Sequence, residues 1–343
     1  MTTDQQHGAA GRTGDREPAP GRMRAIVQDR YGTAEVLRTG WVPRPTIGDN
    51  EVLVRVHAAG LDRGAWHLMT GTPYLIRLGT GLRGPRNPVI GSDVAGTVTD
   101  VGRAVTAFRV GEEVFGAGKG SFAEYAVARE DRLAHKPAGV TFEQAAVVPV
   151  SALTALQALR DAGRVAQGQK VLILGASGGV GSYAVQLARA FGAETTGVCG
   201  TGKLDFVCSL GADHVLDYTR DDFADGARRY DLILDIGGNP ELARLRRALK
   251  PRGTAVLVGG EGGGTWTGIG RQLRAVMLSP FVPQRLVMLM STQRSSDLRL
   301  LAGLIEDGTV TPRVGSSYPL DQVPDAMRYL EAGKARGKTA ITL

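Results

Sequence analysis

Hydrophobic and polar positions change rhythm once along this chain. From residue 23 to about residue 127, short β-rich runs at 24–28, 52–58, 93–101 and 122–127 are broken by glycine and proline. Runs of this length predict an antiparallel or barrel-like unit. From about Thr141 the period lengthens, and residues 142–161 carry apolar side chains at helical spacing, which predicts a helix leading into a second unit. Beyond it, strands at 170–174, 195–199, 214–216, 231–236 and 254–258 alternate with helices at 180–191, 204–210 and 240–249. That alternation predicts a parallel sheet covered by helices on both faces, and the unbroken apolar run at 171–174 suits a strand buried on both sides. Glycine returns at 259–264, followed by a strand at 285–290, helices at 297–306 and 323–332, and a terminal stretch, 338–343, that alternates like an edge strand.

Composition narrows the class. A chain of 343 residues, 43% of them hydrophobic, can bury two cores. Residues 1–22 are rich in Gly, Thr, Gln, Arg and Pro without an apolar segment, and read as a disordered tail rather than a leader or anchor. No apolar run approaches the roughly 20 residues that span a bilayer. The two cysteines, Cys199 and Cys208, fit neither a redox CxxC pair nor a zinc knuckle, and read as reduced thiols of a cytoplasmic protein. The net charge of +7 is scattered, and its densest stretch, residues 77–86, lies among glycines and prolines with no aromatic stripe. Neither a nucleic-acid nor a membrane partner is expected, and the basic stretch reads as a solvated or phosphate-facing loop.

The chemistry concentrates at residues 171–181, Val-Leu-Ile-Leu-Gly-Ala-Ser-Gly-Gly-Val-Gly, which run from a buried strand into a helix. Ala176, Gly178 and Gly181 take the three spacings of GxGxxG, with alanine at the first. Gly178 would let backbone N–H groups approach a pyrophosphate, Gly181 would let helix and strand pack tightly, and the helix N-terminus adds partial positive charge. Gly175, Ser177, Gly179 and Val180 complete the candidate loop. The same stretch also contains Gly175-x-Ser177-x-Gly179, the nucleophile elbow of a serine hydrolase. A triad in that order needs a later histidine, and the only one is His214, a single βα unit downstream. Where an NAD site places Asp or Glu at the end of the next strand, this chain has Gly200, followed by Thr201 and Lys203. Missing repulsion and an available cation favour NADPH.

These features, with the β-rich N-terminal unit, resemble the medium-chain dehydrogenase/reductase superfamily in its zinc-free, quinone-oxidoreductase-like branch. The resemblance covers residues 23–343 and rests on the motifs at 58–62, 91–96, 152–155, 175–181, 210–213 and 337–343. It implies a Rossmann doubly wound parallel sheet (146–290) inserted in a GroES-like β-rich substrate domain (23–145 and 291–343), with the active site in the cleft between them. It implies Thr154 near the nicotinamide, Tyr218 beside the adenosine phosphate, Gly259 along the cofactor and Lys338 approaching it. The catalytic-zinc positions of related alcohol dehydrogenases match Asp62, Ser92, Asp93 and Val150, a set poor in zinc donors, so no metal is expected.

Without a metal, the expected chemistry is conjugate reduction of an enone, quinone or enoyl thioester, which needs placement of the nicotinamide C4 and a hydrogen bond to the carbonyl oxygen. Candidate donors are Tyr74, His67 and the cofactor ribose hydroxyl, with a protonated Asp62 as a further one. Asp62 is either kept protonated by burial or faces water or a basic group such as Arg63. Residues 74–87 are long enough for a flexible flap. A noncatalytic NADPH-binding protein would share this fold. The strand at 285–290 is a candidate edge for a homodimer.

Overall fold

The structure, a computed structural model, describes residues 21–259 and 266–343. Most of the expected N-terminal tail and the glycines at 260–264 lie outside the described residues.

The N-terminal unit is built from strands β1 (Arg22–Val27), β2 (Arg38–Pro43) and β3 (Glu51–Leu61), helices α1 (Arg63–Thr70) and α2 (Arg77–Thr80), then β4 (Asp93–Val101), β5 (Glu113–Ala117), β6 (Tyr125–Arg129) and β7 (Leu133–His135). β1 and β2 form an antiparallel pair of their own. The second unit opens with α3 (Phe142–Ala146) and α4 (Pro149–Gln157), then runs β8 (Lys170–Leu174), α5 (Gly179–Ala190), β9 (Glu194–Cys199), α6 (Leu204–Ser209) and β10 (His214–Asp217). It continues with β11 (Tyr230–Asp235), α7 (Leu242–Ala248), β12 (Leu249–Leu257), α8 (Gly270–Leu278) and β13 (Arg285–Met288). The chain ends in α9 (Ser295–Glu306), β14 (Val314–Pro319), α10 (Val323–Glu331) and β15 (Lys338–Thr342).

β8 to β13 make an all-parallel six-stranded sheet in the order β10-β9-β8-β11-β12-β13. The seven-stranded sheet is largely antiparallel, ordered β14-β15-β3-β4-β5-β7, with β6 on the first half of β3. The fold is therefore mixed α/β, a Rossmann-type sheet joined to a GroES-like one. The C-terminal strand differs from its alternating pattern: β15 is no edge but lies between β14 and β3, with Lys338 to Ile341 all buried. The second half of β3 leaves a free ladder there, because β6 pairs only with Glu51 to Arg55.

The helix expected over 142–161 is interrupted. Thr141 caps α3 through a capping box with Gln144, and Pro149 starts α4 afresh, as proline at a helix N-terminus does. α4 then passes into six residues of π-helix, Ala158–Gly163. Its buried face packs on α5 in one core, while Val54, Val94, Phe122 and Leu133 anchor the other.

Candidate active site

In the parallel sheet, β9 and β10 lie to one side of β8, and β11 to β13 to the other. A crevice forms where such a strand order reverses, at the carboxyl ends of β8 and β11. β8 delivers the glycine loop there. Gly175 has φ +83°, a left-handed conformation that suits glycine. A Cβ on Gly181 would lie 2.1 Å from the Gly175 carbonyl oxygen, so only glycine lets α5 come this close. Gly178 is the extended N-cap, and a Cβ there would meet nothing nearer than 3.5 Å. The helix ladder begins with Ser182 N–H donating to Gly178 O at 2.9 Å, which leaves the N–H groups of Gly179, Val180 and Gly181 directed at the crevice end. This cradle fits a dinucleotide pyrophosphate. Ser177 is buried, and its carbonyl accepts the Gly337 N–H at 2.9 Å.

The hydrolase reading fails on geometry. His214 opens β10, and its Nε2 lies 3.1 Å from Glu194 Oε1 at the start of β9. Ser177 follows the opposite, carboxyl end of β8.

At the second corner β9 ends on Cys199, whose thiol burial pushes up to about 11. The exposed Tyr218 ring packs over Gly200, 3.4 Å from where a Cβ would stand. The Thr201 hydroxyl donates to Asp217, which also accepts Thr219 N at 3.0 Å and Thr219 Oγ1 at 2.8 Å. Asp217, buried at the end of β10, had no signal in the pattern beyond its place in that strand. Lys203 Nζ donates to the Gly333 and Ala335 carbonyls at 2.7 and 2.9 Å, and Arg336 Nη2 to Gly202 O at 2.8 Å. Burial, with Arg336 nearby, holds the Lys203 ammonium below its ordinary value. The cation expected to face a phosphate is thus turned toward the chain before β15.

Gly259 follows β12 so closely on Ile236 that a Cβ would lie 2.1 Å from its carbonyl oxygen. Its own carbonyl accepts Gln272 Nε2 at 2.9 Å, which ties α8 to the crevice. Burial pushes the Asp235 carboxyl up, against the pull of its Arg271 partner, and Arg271 also donates to Pro240 O at 3.0 Å. The buried Thr154 hydroxyl is spent on Val150 O at 2.6 Å within α4.

On the substrate side, Asp62 caps α1, its Oδ1 accepting Ala65 N–H at 2.9 Å. The basic group facing it is Lys338, whose Nζ lies 3.5 Å from Asp62 Oδ2. Both Asp62 oxygens are thus engaged within the protein, one by an amide and one by an ammonium. His67 Nδ1 contacts Thr72 O at 2.6 Å, and its ring sits edge-on to Trp66. Tyr74 meets Trp266 edge to face with centroids 5.6 Å apart, and Leu75 N–H donates to Trp266 O at 3.0 Å. Trp266 thereby ties the segment before α8 to the turn between α1 and α2, a contact no local pattern could signal. Residues 74–81 are pinned rather than loose: Arg77 stacks on Tyr31 and Tyr74, each at 4.5 Å, and Tyr31 Oη donates to Gly81 O at 2.7 Å.

The four zinc-matching positions do not offer a zinc donor set. Val150 contributes only its N–H, to Asp93 Oδ1 at 3.0 Å, and Asp93 Oδ2 accepts Lys338 Nζ at 2.6 Å. Among the described residues, no group of three or more His, Cys, Asp or Glu side chains is arranged to hold a metal. Lys338, expected beside the cofactor, buries its ammonium in this cluster, and its stem is what nears the loop. Burial and the second carboxylate, Asp62, push Asp93 up to about 7 despite the Lys338 ammonium. Asp93 and Asp62 hold that ammonium above its ordinary value, against its own burial.

Comparison with known proteins agrees with this architecture. Residues 48–138 match the alcohol dehydrogenase GroES-like domain, and residues 210–341 a family described as zinc-binding dehydrogenase. The chain is 33% identical to a chloroplast envelope quinone oxidoreductase homolog of Arabidopsis thaliana, over 93% of this chain and 98% of that one. It is 33% identical to the 2-methylene-furan-3-one reductase of Solanum lycopersicum, over 97% and 82%. The Escherichia coli quinone oxidoreductase solved with NADPH superposes with a TM-score of 0.80 at 25% identity, covering 93% of this chain and all of that one. With its glycine cradle at the reversal of a parallel sheet and a GroES-like sheet facing it, the chain belongs to the medium-chain dehydrogenase/reductase superfamily, as a quinone-oxidoreductase-like NAD(P)H oxidoreductase.

Proposed function

We propose that the protein is a zinc-independent reductase that passes hydride from NADPH to a quinone or to a double bond conjugated with a carbonyl. The observation that carries this reading is the Lys338 ammonium 2.6 Å from Asp93 and 3.5 Å from Asp62, at the positions where zinc relatives place ligands. A fixed cation already balances those carboxylates, and valine and serine complete a set that zinc does not favour. Bound NADPH supplies the hydride. This chain's own residues would hold the pyrophosphate at the N–H groups of Gly179, Val180 and Gly181, and Gly200 places no acidic side chain at the end of β9 to repel a 2′-phosphate, while Lys203 and Arg336 brace that corner through chain carbonyls.

Conjugate acceptors suit a site without a Lewis acid, because the charge left by hydride addition is delocalised and a single hydrogen-bond donor can meet it. We assign the hydrogen-bond donor to Tyr74, whose ring joins the turn after α1 to the segment before α8 through Trp266 and whose hydroxyl, among the described residues, keeps an unspent O–H. We assign Asp62 to positioning and His67, tied to Thr72 O, to the wall. The free edge of β13, flanked by exposed Met277, Phe281 and Met290, supports a homodimer, and two unpaired cysteines suit the cytoplasm. Among the described residues no helix is long and apolar enough to cross a membrane.

NADPH and NADH oxidation followed at 340 nm across quinones, enones and enoyl thioesters tests the reading. It predicts turnover with at least one class and a preference for NADPH, with Tyr74→Phe lowering kcat roughly a hundredfold. Tight NADPH binding without turnover on any acceptor would favour a noncatalytic binding protein instead.

A further inference from the structure

The cluster around Lys338 contains a device that hydride transfer does not itself require. Its ammonium donates to Asp93 Oδ2 at 2.6 Å and to Ser151 Oγ at 3.1 Å, with Asp62 Oδ2 at 3.5 Å. The lysine, at the start of β15, and its three partners come from four separate elements, the partners lying at the cap of α1, the start of β4 and the first turn of α4. The cluster is also the floor of the glycine loop. A Cβ built on Gly179 would lie 3.2 Å from Lys338 Cδ and 3.0 Å from Ser151 Oγ, and Gly337 N–H holds Ser177 O at 2.9 Å. The loop therefore rests on a lysine stem whose far end is clamped by two carboxylates and a hydroxyl.

We infer that Lys338 is a positioning residue for the cofactor: clamped from the substrate side by Asp62 and Asp93, it sets the height at which the Gly179, Val180 and Gly181 N–H groups meet a pyrophosphate. It does so without touching the cofactor. The ammonium thus supplies at this point the rigidity that a coordinated metal would lend, and it couples the GroES-like sheet to the phosphate loop. Loss of its charge leaves Asp93 and Asp62 facing each other with nothing between them, and the loop without a fixed floor. The inference rests on dinucleotide binding at this loop and is independent of the acceptor reduced.

The test uses Lys338→Met, which keeps the stem and removes the charge, and Lys338→Met with Asp93→Asn, which leaves a single carboxylate and guards against a failure to fold. Binding of NADPH is titrated by fluorescence alongside 2′-AMP, which carries the adenosine and its 2′-phosphate but no pyrophosphate. Tm is recorded for each protein. We expect the folded double variant to bind NADPH roughly tenfold more weakly, with 2′-AMP binding within about twofold of wild type and Lys338→Arg recovering part of the loss. NADPH binding unchanged in a folded variant would overturn the inference, as would equal weakening of NADPH and 2′-AMP, which marks general distortion. Should the wild type bind NADH in place of NADPH, the cofactor preference above fails alone, and the same comparison is read with NADH and adenosine.

Discussion

Gly181 and Gly175 lie in contact across the turn between β8 and α5, and the 2.1 Å that would separate a Gly181 Cβ from the Gly175 carbonyl is shorter than any real contact. Gly181→Ala must therefore push the helix off the strand. The expected cost is roughly 1–3 kcal/mol of stability, together with most of the NADPH affinity. Thermal melts and a fluorescence titration would check both, and an alanine variant that binds NADPH normally would refute the packing argument. This loop was legible in the sequence because its residues are contiguous and each glycine has a local reason to be there. Lys338 was less so. Its place near the cofactor followed from the family resemblance, but its partners Asp62, Asp93 and Ser151 lie 187 to 276 positions away, and only the fold brings them together. The direction in which Lys203 turns was hidden for the same reason, since its acceptors are carbonyls of residues 333 and 335.

At the scale of elements, α4 and α9 are locked by a network that periodicity cannot reveal. Gln157 Nε2 donates to Asp297 Oδ2 at 2.9 Å, and Arg160 Nη1 to Asp297 Oδ1 at 2.8 Å. Burial works to raise the Asp297 carboxyl, but the bonds from Arg160 and Gln157 outweigh it and hold it below its ordinary range. Asp297→Ala removes one of the bonds of the buried Gln157 amide, which keeps Thr292 O as an acceptor, and the acceptor of Arg160 Nη1. We expect a loss of about 3 kcal/mol, measured by denaturant unfolding, with NADPH affinity preserved because the network lies outside the crevice. The alternating α/β texture was readable because strands buried on both faces must be apolar. The break at Pro149 and the interior place of β15 were not read correctly. Helical spacing continued on both sides of the break, and an alternating pattern cannot say how many neighbours a strand has.

Across the whole molecule, the two sheets communicate through α3 and α4 as well as through Lys338. His57, on β3, stacks on Phe142 of α3 at 4.3 Å and contacts Thr97 Oγ1 at 3.0 Å. Burial, aided by Arg55, lowers its folded value below the ordinary 6.5. The unfolded chain then takes up this proton before the folded one does, so stability is full above about pH 6.5 and declines as the pH falls toward the folded value. Asp93, whose folded value stands near 7, acts in the opposite sense but equally in both proteins, so melts between pH 7.5 and 5.5 should show wild type losing Tm relative to His57→Gln as the pH falls, and an identical pH dependence in both would refute the assignment.

In the function proposed above, the Lys338 ammonium occupies the place where zinc relatives hold their metal. The most direct measurement is the rate of NADPH oxidation at 340 nm, with an acceptor from the active class, before and after exhaustive treatment with a zinc chelator. An unchanged rate and no gain from added zinc are expected if Lys338 stands in place of a metal. Activity lost to the chelator and restored by zinc would contradict it.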